Sequence, residues 1–251
     1  MEAAPSPIPN RPQSQKVESM FGKVAKNYDL ANDVLSLGIH HLWRKKLVRM
    51  SGCQPGMSVL DCATGTGDLA IEFKKHVGPT GTVIGSDFCK GMLDFAPAKA
   101  ARLNLQITFE QQDVTQLSYP SETFDLVSIS FGIRNVENPV KGLSEMLRVL
   151  KPGGKLLVLE FGQPPSKLFS SVYRLYSSKI LPKIGGWITG ERGAYEYLEK
   201  SSALFPCGAA FSGLIKTAGQ EAGLAGQNSV KTVQVLPLSF GIAYIYCAVK
   251  A

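Results

Sequence analysis

Residues 59–70 read VLDCATGTGDLA: a short apolar strand ends in Asp61, and Gly65-Thr66-Gly67 then makes a turn that opens a helix. Two glycines at such a turn let the backbone approach a ligand where a Cβ would collide. The helix N-terminus behind them offers free N–H groups and a positive dipole end, which suit a carboxylate or phosphate. About twenty residues on, a second strand-like run, TVIGS, ends in Asp87, placed to accept hydrogen bonds from ribose hydroxyls. This order of elements suits an adenosine-type ligand.

The spacing Gly65-x-Gly67-x-x-Ala70 also satisfies a loose dinucleotide pattern with Ala in third place. Two features pull away from that reading. Asp61 stands just before the loop, where it would repel a pyrophosphate but welcome the ammonium of an amino-acid ligand. A third acid, Asp113, ends the run ITFEQQD, where it can reach an adenine amine. Acids at the ends of three successive strands suit S-adenosylmethionine, and so favour a methyltransferase over a dehydrogenase. Taken singly, each acid is equally readable as an ordinary cap or turn residue.

The chain has 251 residues, 44% hydrophobic and 19% charged, which fits one folded α/β domain with a modest cap. No apolar run approaches the roughly eighteen residues that span a bilayer. Residues 1–16 are rich in Pro, Ser and Gln, have no apolar core for a signal peptide, and read as a disordered tail before a single domain over 17–251. Five cysteines stand singly at 53, 62, 89, 207 and 247, which argues for free thiols in a reducing, cytoplasmic setting and against disulfides or structural zinc. A net charge of +7 is spread out, with Arg44-Lys45-Lys46 the densest cluster. No nucleic-acid module accompanies it, so solubility or attraction to an anionic bilayer are the readings it leaves.

Residues 17–52 read as helical, and strands are expected at 58–62, 82–86, 106–111, 124–130 and 155–161. Helices follow the glycine turn, span 89–102, and open at Pro139. A helical insertion at 163–207 interrupts the alternation, a last helix covers 209–222, and SVKTVQVL with FGIAYIYCAV closes the chain as an antiparallel pair at the sheet edge. The prediction is a seven-stranded, mostly parallel sheet with an antiparallel C-terminal hairpin and a helical cap, the class I methyltransferase architecture. Its ligands belong at the carboxyl ends of the strands.

Three longer stretches carry a resemblance. They are FGKVAKNYDLANDVLSLGIHHLWRKKLV, ISFGIRNVENPVKGLSEMLRVLKPGGKLLVLEF and AYEYLEKSSALFP. With them the chain resembles, from about Val17 to Lys250, the quinone C-methyltransferase family that methylates demethylmenaquinone and the ubiquinone precursor. The resemblance implies that Thr66, Asp87, Asp113 and Ser130 touch S-adenosylmethionine, with Val114 beside the adenine; Asp61 and Gly65 flank the same ligand on the reading above. Two departures stand out: Ala31 replaces the family's usual methionine, which would widen a substrate channel, and Cys207 replaces an acidic or polar residue. The implied reaction is methylation of demethylmenaquinol to menaquinol, with a dual enzyme that also takes a 2-methoxy-6-polyprenyl benzoquinol, or another small-molecule substrate, as the alternatives.

Methylating a quinol carbon requires an electron-rich ring, and a cation beside a phenol of pKa near 10 helps its proton leave. Arg134, at the ligand edge of strand four, is the candidate cation, with Asn135 orienting the same oxygen; a salt bridge from Arg134 to Glu160 or Asp33 is the competing role. Asp33 or a water is the candidate proton acceptor. Of His40 and His41, one ring is expected to pack and the other to face solvent. Tyr28, Tyr195 and Tyr197 are candidate quinone-pocket residues, or ordinary core. The segment KLFSSVYRLYSSKILPKIGGWI, 167–188, interleaves apolar and basic residues. It suits a helix lying on the inner face of a membrane that holds the polyprenyl tail, a lid on the sheet, or a homodimer contact.

Overall fold

The computed structural model describes residues 14–221 and 230–251. Strands β1 (Ser58–Cys62), β2 (Thr82–Asp87), β3 (Thr108–Gln111), β4 (Phe124–Ser130) and β5 (Leu150–Phe161) are parallel; β6 (Val230–Leu238) and β7 (Ala243–Lys250) complete one seven-stranded sheet in the order β3-β2-β1-β4-β5-β7-β6. The closing pair is antiparallel, and β7 lies between β5 and β6. Strand order reverses between β1 and β4, which opens a crevice beyond their carboxyl ends.

Both faces of the sheet are covered, so its central strands are apolar on both sides. Along β5, Leu156 and Val158 join one core with α7 (Pro139–Val149) and α11 (Ala209–Glu221), while Leu157 and Leu159 join another with α3 (Ile39–Ser51) and α4 (Asp68–Val77). The next residue, Glu160, is 1% exposed, a carboxylate carried into the interior by the alternation that buries its neighbours. Asn138 caps α7 by accepting from the Lys141 N–H at 3.2 Å, and Pro139 occupies its first turn.

Several local expectations shift. The helix expected over 89–102 is two pieces, α5 (Lys90–Leu93) and α6 (Ala96–Arg102), because Pro97 has no N–H for the Leu93 carbonyl. The strand expected over 155–161 starts earlier, as β5 pairs with Phe124 from Leu150 and absorbs Pro152-Gly153-Gly154 as a bulge. Ser14–Lys16, placed in the tail by composition, form the first turn of α1 (Ser14–Val24). Residues 1–13, and the end of the last helix at 222–223, lie outside the described residues.

Two groups of helices roof the carboxyl end of the sheet. One is α1, a 3-10 turn at Ala25–Asn27, α2 (Tyr28–Ser36) and α3; the other is α8 (Lys167–Leu175), a π-helical turn at Tyr176–Ile180, α9 (Leu181–Thr189) and α10 (Arg192–Leu204). Long-range bonds seat them: Tyr176 donates to the Leu35 carbonyl at 2.6 Å, Asn27 to the Ile188 carbonyl at 3.0 Å, and the Trp43 indole to Ser239 Oγ at 3.1 Å. Among the described residues no helix is long and apolar enough to cross a membrane.

Candidate active site

A cavity of about 350 Å³ lies beyond the ends of β1–β4. Ala63 and Gly65, Ser86 to Cys89, Gln112 to Thr115 and Ser130 to Gly132 supply its walls, one set from the end of each strand. The turn needs its glycine at position 67, where φ is +86° and a Cβ would stand 3.1 Å from Ala96 and 3.2 Å from the Phe109 ring. The residues just after β1 and β4, Ala63 and Phe131, hold left-handed backbone with φ of 48° and 55°. Each costs roughly 1–2 kcal/mol, strain concentrated where the two strands part.

Asp87 faces this cavity and also braces the loop: its Oδ2 accepts from the Gly65 N–H at 2.7 Å and its Oδ1 from the Cys89 N–H at 2.8 Å. An ionised carboxylate retains further acceptor capacity for a diol. Burial pushes Asp87 up to about 6 against those bonds. Asp113 and Val114 line the far end, with Asp113 exposed and its Oδ1 accepting from the Thr115 N–H and hydroxyl, both at 2.8 Å. The Ser130 hydroxyl is buried with no partner among the described residues, and it faces the same space. An unpaired buried donor costs free energy until a ligand satisfies it. The pocket therefore fits an adenosine ligand: a diol acceptor, an amine acceptor and an unfilled hydroxyl along one trough.

Asp61 and Thr66 stand off this main cavity. They line an adjoining chamber of about 30 Å³, together with Tyr28, Arg44, Asp68 and Ser130. Asp61 accepts from the Ser128 and Thr64 hydroxyls, each at 2.7 Å, and burial raises it to about 6. Thr66 donates to Asp29 at 2.6 Å, so its hydroxyl serves an ion network rather than an open pocket. In that network Arg44 pairs with Asp68 at 2.7 Å, and Lys99 bridges Asp68 and Asp29. Arg44 is thus turned inward, away from the basic cluster that sequence made of it.

A second cavity of about 470 Å³ lies beneath the two helical groups, and its wall is largely apolar and aromatic. Phe21, Tyr28 and Phe131 line both large cavities, and Tyr28 faces the chamber as well. Arg134, Tyr195 and Tyr197 are on this wall, joined by Trp43, Phe161, Tyr173, Tyr176 and His40. Asn135 instead faces the first cavity, and its Oδ1 accepts from the Tyr197 hydroxyl at 3.1 Å, linking the two spaces.

Arg134 takes the competing role named for it, and two further expectations, for Asp33 and Ala31, need correction. Arg134 is paired: Nη1 contacts Glu160 Oε1 at 2.7 Å and the Phe131 carbonyl at 2.5 Å, and its guanidinium carbon lies 5.3 Å from the Phe161 ring centroid. Its Nε–H is buried without a partner among the described residues. Arg134 therefore reaches the cavity wall as half of an ion pair rather than as a bare charge. Asp33 is on neither wall; half exposed, it holds the His41 ring at 2.7 Å, because α2 turns it outward. Ala31 is fully buried but also off the wall, so it widens no channel there.

The ubiE/COQ5 methyltransferase family matches residues 10–250. The chain belongs to this family. A ubiquinone/menaquinone biosynthesis C-methyltransferase UbiE of Bdellovibrio bacteriovorus is 58% identical over 94% of this chain and 96% of its own length. A demethylmenaquinone methyltransferase of Deinococcus radiodurans is 46% identical over 77% of this chain and 80% of its own. Among solved structures, a SAM-dependent methyltransferase of Thermotoga maritima superposes with a TM-score of 0.63 at 18% identity, over 93% of this chain and 99% of that one. The magnesium protoporphyrin IX methyltransferase of Synechocystis with bound SAH gives 0.62 at 20% identity, over 95% and 100%. Like these, the chain has the class I fold, and as a family member it is an S-adenosylmethionine-dependent methyltransferase.

Proposed function

We propose that this enzyme methylates a ring carbon of demethylmenaquinol to give menaquinol. Belonging to the family makes the chain a C-methyltransferase of quinone biosynthesis. The observation that carries the substrate class is the 470 Å³ apolar cavity, which meets the cofactor trough across Tyr28 and Phe131.

S-adenosylmethionine, when bound, supplies an electrophilic methyl group. Asp87 would hold its ribose, Asp113 and Val114 its adenine, and Asp61 would face its ammonium from the chamber. Around the quinol, the rings of Phe131 and Phe161, 4.4 Å between centroids and tilted by 32°, would give an aromatic wall. The Arg134 Nε–H would donate to a quinol oxygen and favour electron release into the ring. Tyr28 would flank the junction of donor and acceptor and exclude water, and Tyr197 would hold Asn135 in register.

The polyprenyl tail would leave through the rim of this cavity. Leu37 is 85% exposed, Phe240 81% and Trp187 86%, and each neighbours wall residues (Ser36, Ser239, Ile184). Such a rim suits peripheral contact with the cytoplasmic face of a bilayer. Flotation with anionic liposomes should capture the protein, and Trp187→Ser should weaken capture; indifference to lipid would remove the membrane from this reading.

Methyl transfer from labelled S-adenosylmethionine to chemically reduced quinones in detergent tests the function. Label in the naphthoquinol alone fits the menaquinone role. Label in the 2-methoxy-6-polyprenyl benzoquinol as well makes the enzyme serve both pathways. Label in neither, with cofactor bound, defeats the quinol assignment.

A further inference from the structure

C-methylation releases one proton per turnover, and the apolar cavity holds few groups able to take it. Its tyrosines, Tyr28, Tyr173, Tyr176, Tyr195 and Tyr197, are all shifted upward by burial and stay protonated at neutral pH. Its arginines, Arg44 and Arg134, are cations already. Among the described wall residues, the His40 imidazole is the one neutral nitrogen base. It does not stand alone. Ser36, also on the wall, places its Oγ 2.5 Å from His40 Nδ1. His40 Nε2 stands 3.5 Å from Asp33 Oδ1, which meets the half-exposed His41 at 2.7 Å.

From this alignment, and given a quinol in the cavity, we infer that Ser36, His40 and Asp33 form a proton exit from the substrate cavity to solvent. A carboxylate accepts only, so His40 carries its proton on Nε2 toward Asp33, and Nδ1 accepts from the Ser36 hydroxyl. As the ring carbon takes the methyl and sulfur keeps the electron pair of the broken C–S bond, the phenolic proton passes to Ser36 Oγ. The proton of Ser36 passes at the same time to His40 Nδ1, and the imidazolium gives its Nε2 proton to Asp33 or water. Transfer of the displaced ring proton to oxygen restores the aromatic ring, so one proton leaves per cycle.

The groups facing His40 fit a relay rather than a store. Burial, Arg44 and His41 hold the imidazole down at about 4, while Asp33 and Asp68 act in the opposite direction. A quinol O–H begins near pKa 10. Once its ring has accepted a methyl cation, the same O–H is a far stronger acid than an imidazolium. A base between those limits takes the proton as the C–C bond forms, yet does not retain it at pH 7. Asp33, which neither cavity reaches, thus acquires a route to the substrate through two side chains that sequence reading did not place on it.

The test compares wild-type enzyme with His40→Gln and Ser36→Ala. The relay requires His40→Gln to lower kcat roughly 100-fold, with S-adenosylmethionine affinity unchanged. Ser36→Ala should lower kcat in the same direction and make it climb with added imidazole or rising pH, a response that a purely structural role would not produce. Nitrogen NMR of the free protein gives a readout independent of turnover: at pH 7 the His40 ring should be neutral and protonated on Nε2, and Ser36→Ala should shift Nδ1. A charged ring, an Nδ1–H tautomer, or a folded His40→Gln variant within threefold of wild type overturns the relay. Wild-type inactivity on every quinol would strike instead at the quinol assignment, which the NMR arm does not depend on.

Discussion

The Arg134–Glu160 pair allows structural and chemical roles to be separated. Glu160 is 1% exposed and accepts from Arg134 Nη1 at 2.7 Å, with the Phe161 N–H at 2.8 Å on the same oxygen. In Arg134→Met the carboxylate keeps its backbone donor but loses its counter-charge in the interior. Removing one partner of such a pair costs about 3–5 kcal/mol. For a domain of this size that lowers Tm by about 6–20 °C. Glu160→Gln should cost a similar amount, since it strands the guanidinium. The double variant, Arg134→Met with Glu160→Gln, removes both charges and should recover most of the lost stability, because replacing a whole buried pair is often close to neutral. Turnover should behave differently: every variant without Arg134 should stay slow on quinol, however stable. Denaturant unfolding and methyl transfer, measured on all four proteins, give the cycle. If the two stability losses simply add, the pair is not coupled as the geometry requires. If the double variant regains turnover along with stability, Arg134 has no part in the chemistry.

Asp87→Ala removes the carboxylate that faces the cofactor trough and frees the Gly65 and Cys89 N–H groups, so S-adenosylmethionine affinity by calorimetry should fall at least about tenfold. Asp61 and Asp87, each raised to about 6 by burial, give stability to the free protein that is fully present below about pH 4 and lost as the pH rises through 6, about 3 kcal/mol apiece. Cofactor affinity should move the opposite way, tightening above pH 6 as Asp61 ionises, and Asp61→Asn should flatten that profile. In Gly132→Ala the new Cβ would stand 2.4 Å from that of Ala63, which forces the loops after β1 and β4 apart. Both stability and cofactor binding should suffer, and an unperturbed Kd would contradict the close approach.

Much of the framework was legible from local signals. β1, β2 and β4 are compact apolar runs with an acid or polar residue at or near the carboxyl end, and ligand sites follow from parallel topology. What sequence could not supply was the direction of side chains on α2 and α3. Consecutive residues on a helix diverge by about 100°, so Asn32, Asp33 and Val34 face different surroundings, and the packing of α2 against a cap some 140 residues later decides which. The expectation that one of His40 and His41 packs while the other faces solvent holds, with His40 buried and His41 half exposed, but nothing local shows that the buried ring lines a cavity. Glu18 and Phe21 of α1 close the cofactor trough, but an N-terminal amphipathic segment gives no sign of which crevice it will cover.

The Trp43–Ser239 bond joins residues 196 positions apart. The N-terminal part of the roof over the substrate cavity is made before the sheet but seated on the turn between β6 and β7. Contacts of such separation carry a high loop-closure cost and are slow to form. While the chain is being made, α3 would present Trp43 with no indole acceptor, and the apolar cavity would remain an open surface. The turn between β6 and β7 is therefore also what gives the Trp43 indole its acceptor and fixes α3 over the substrate cavity.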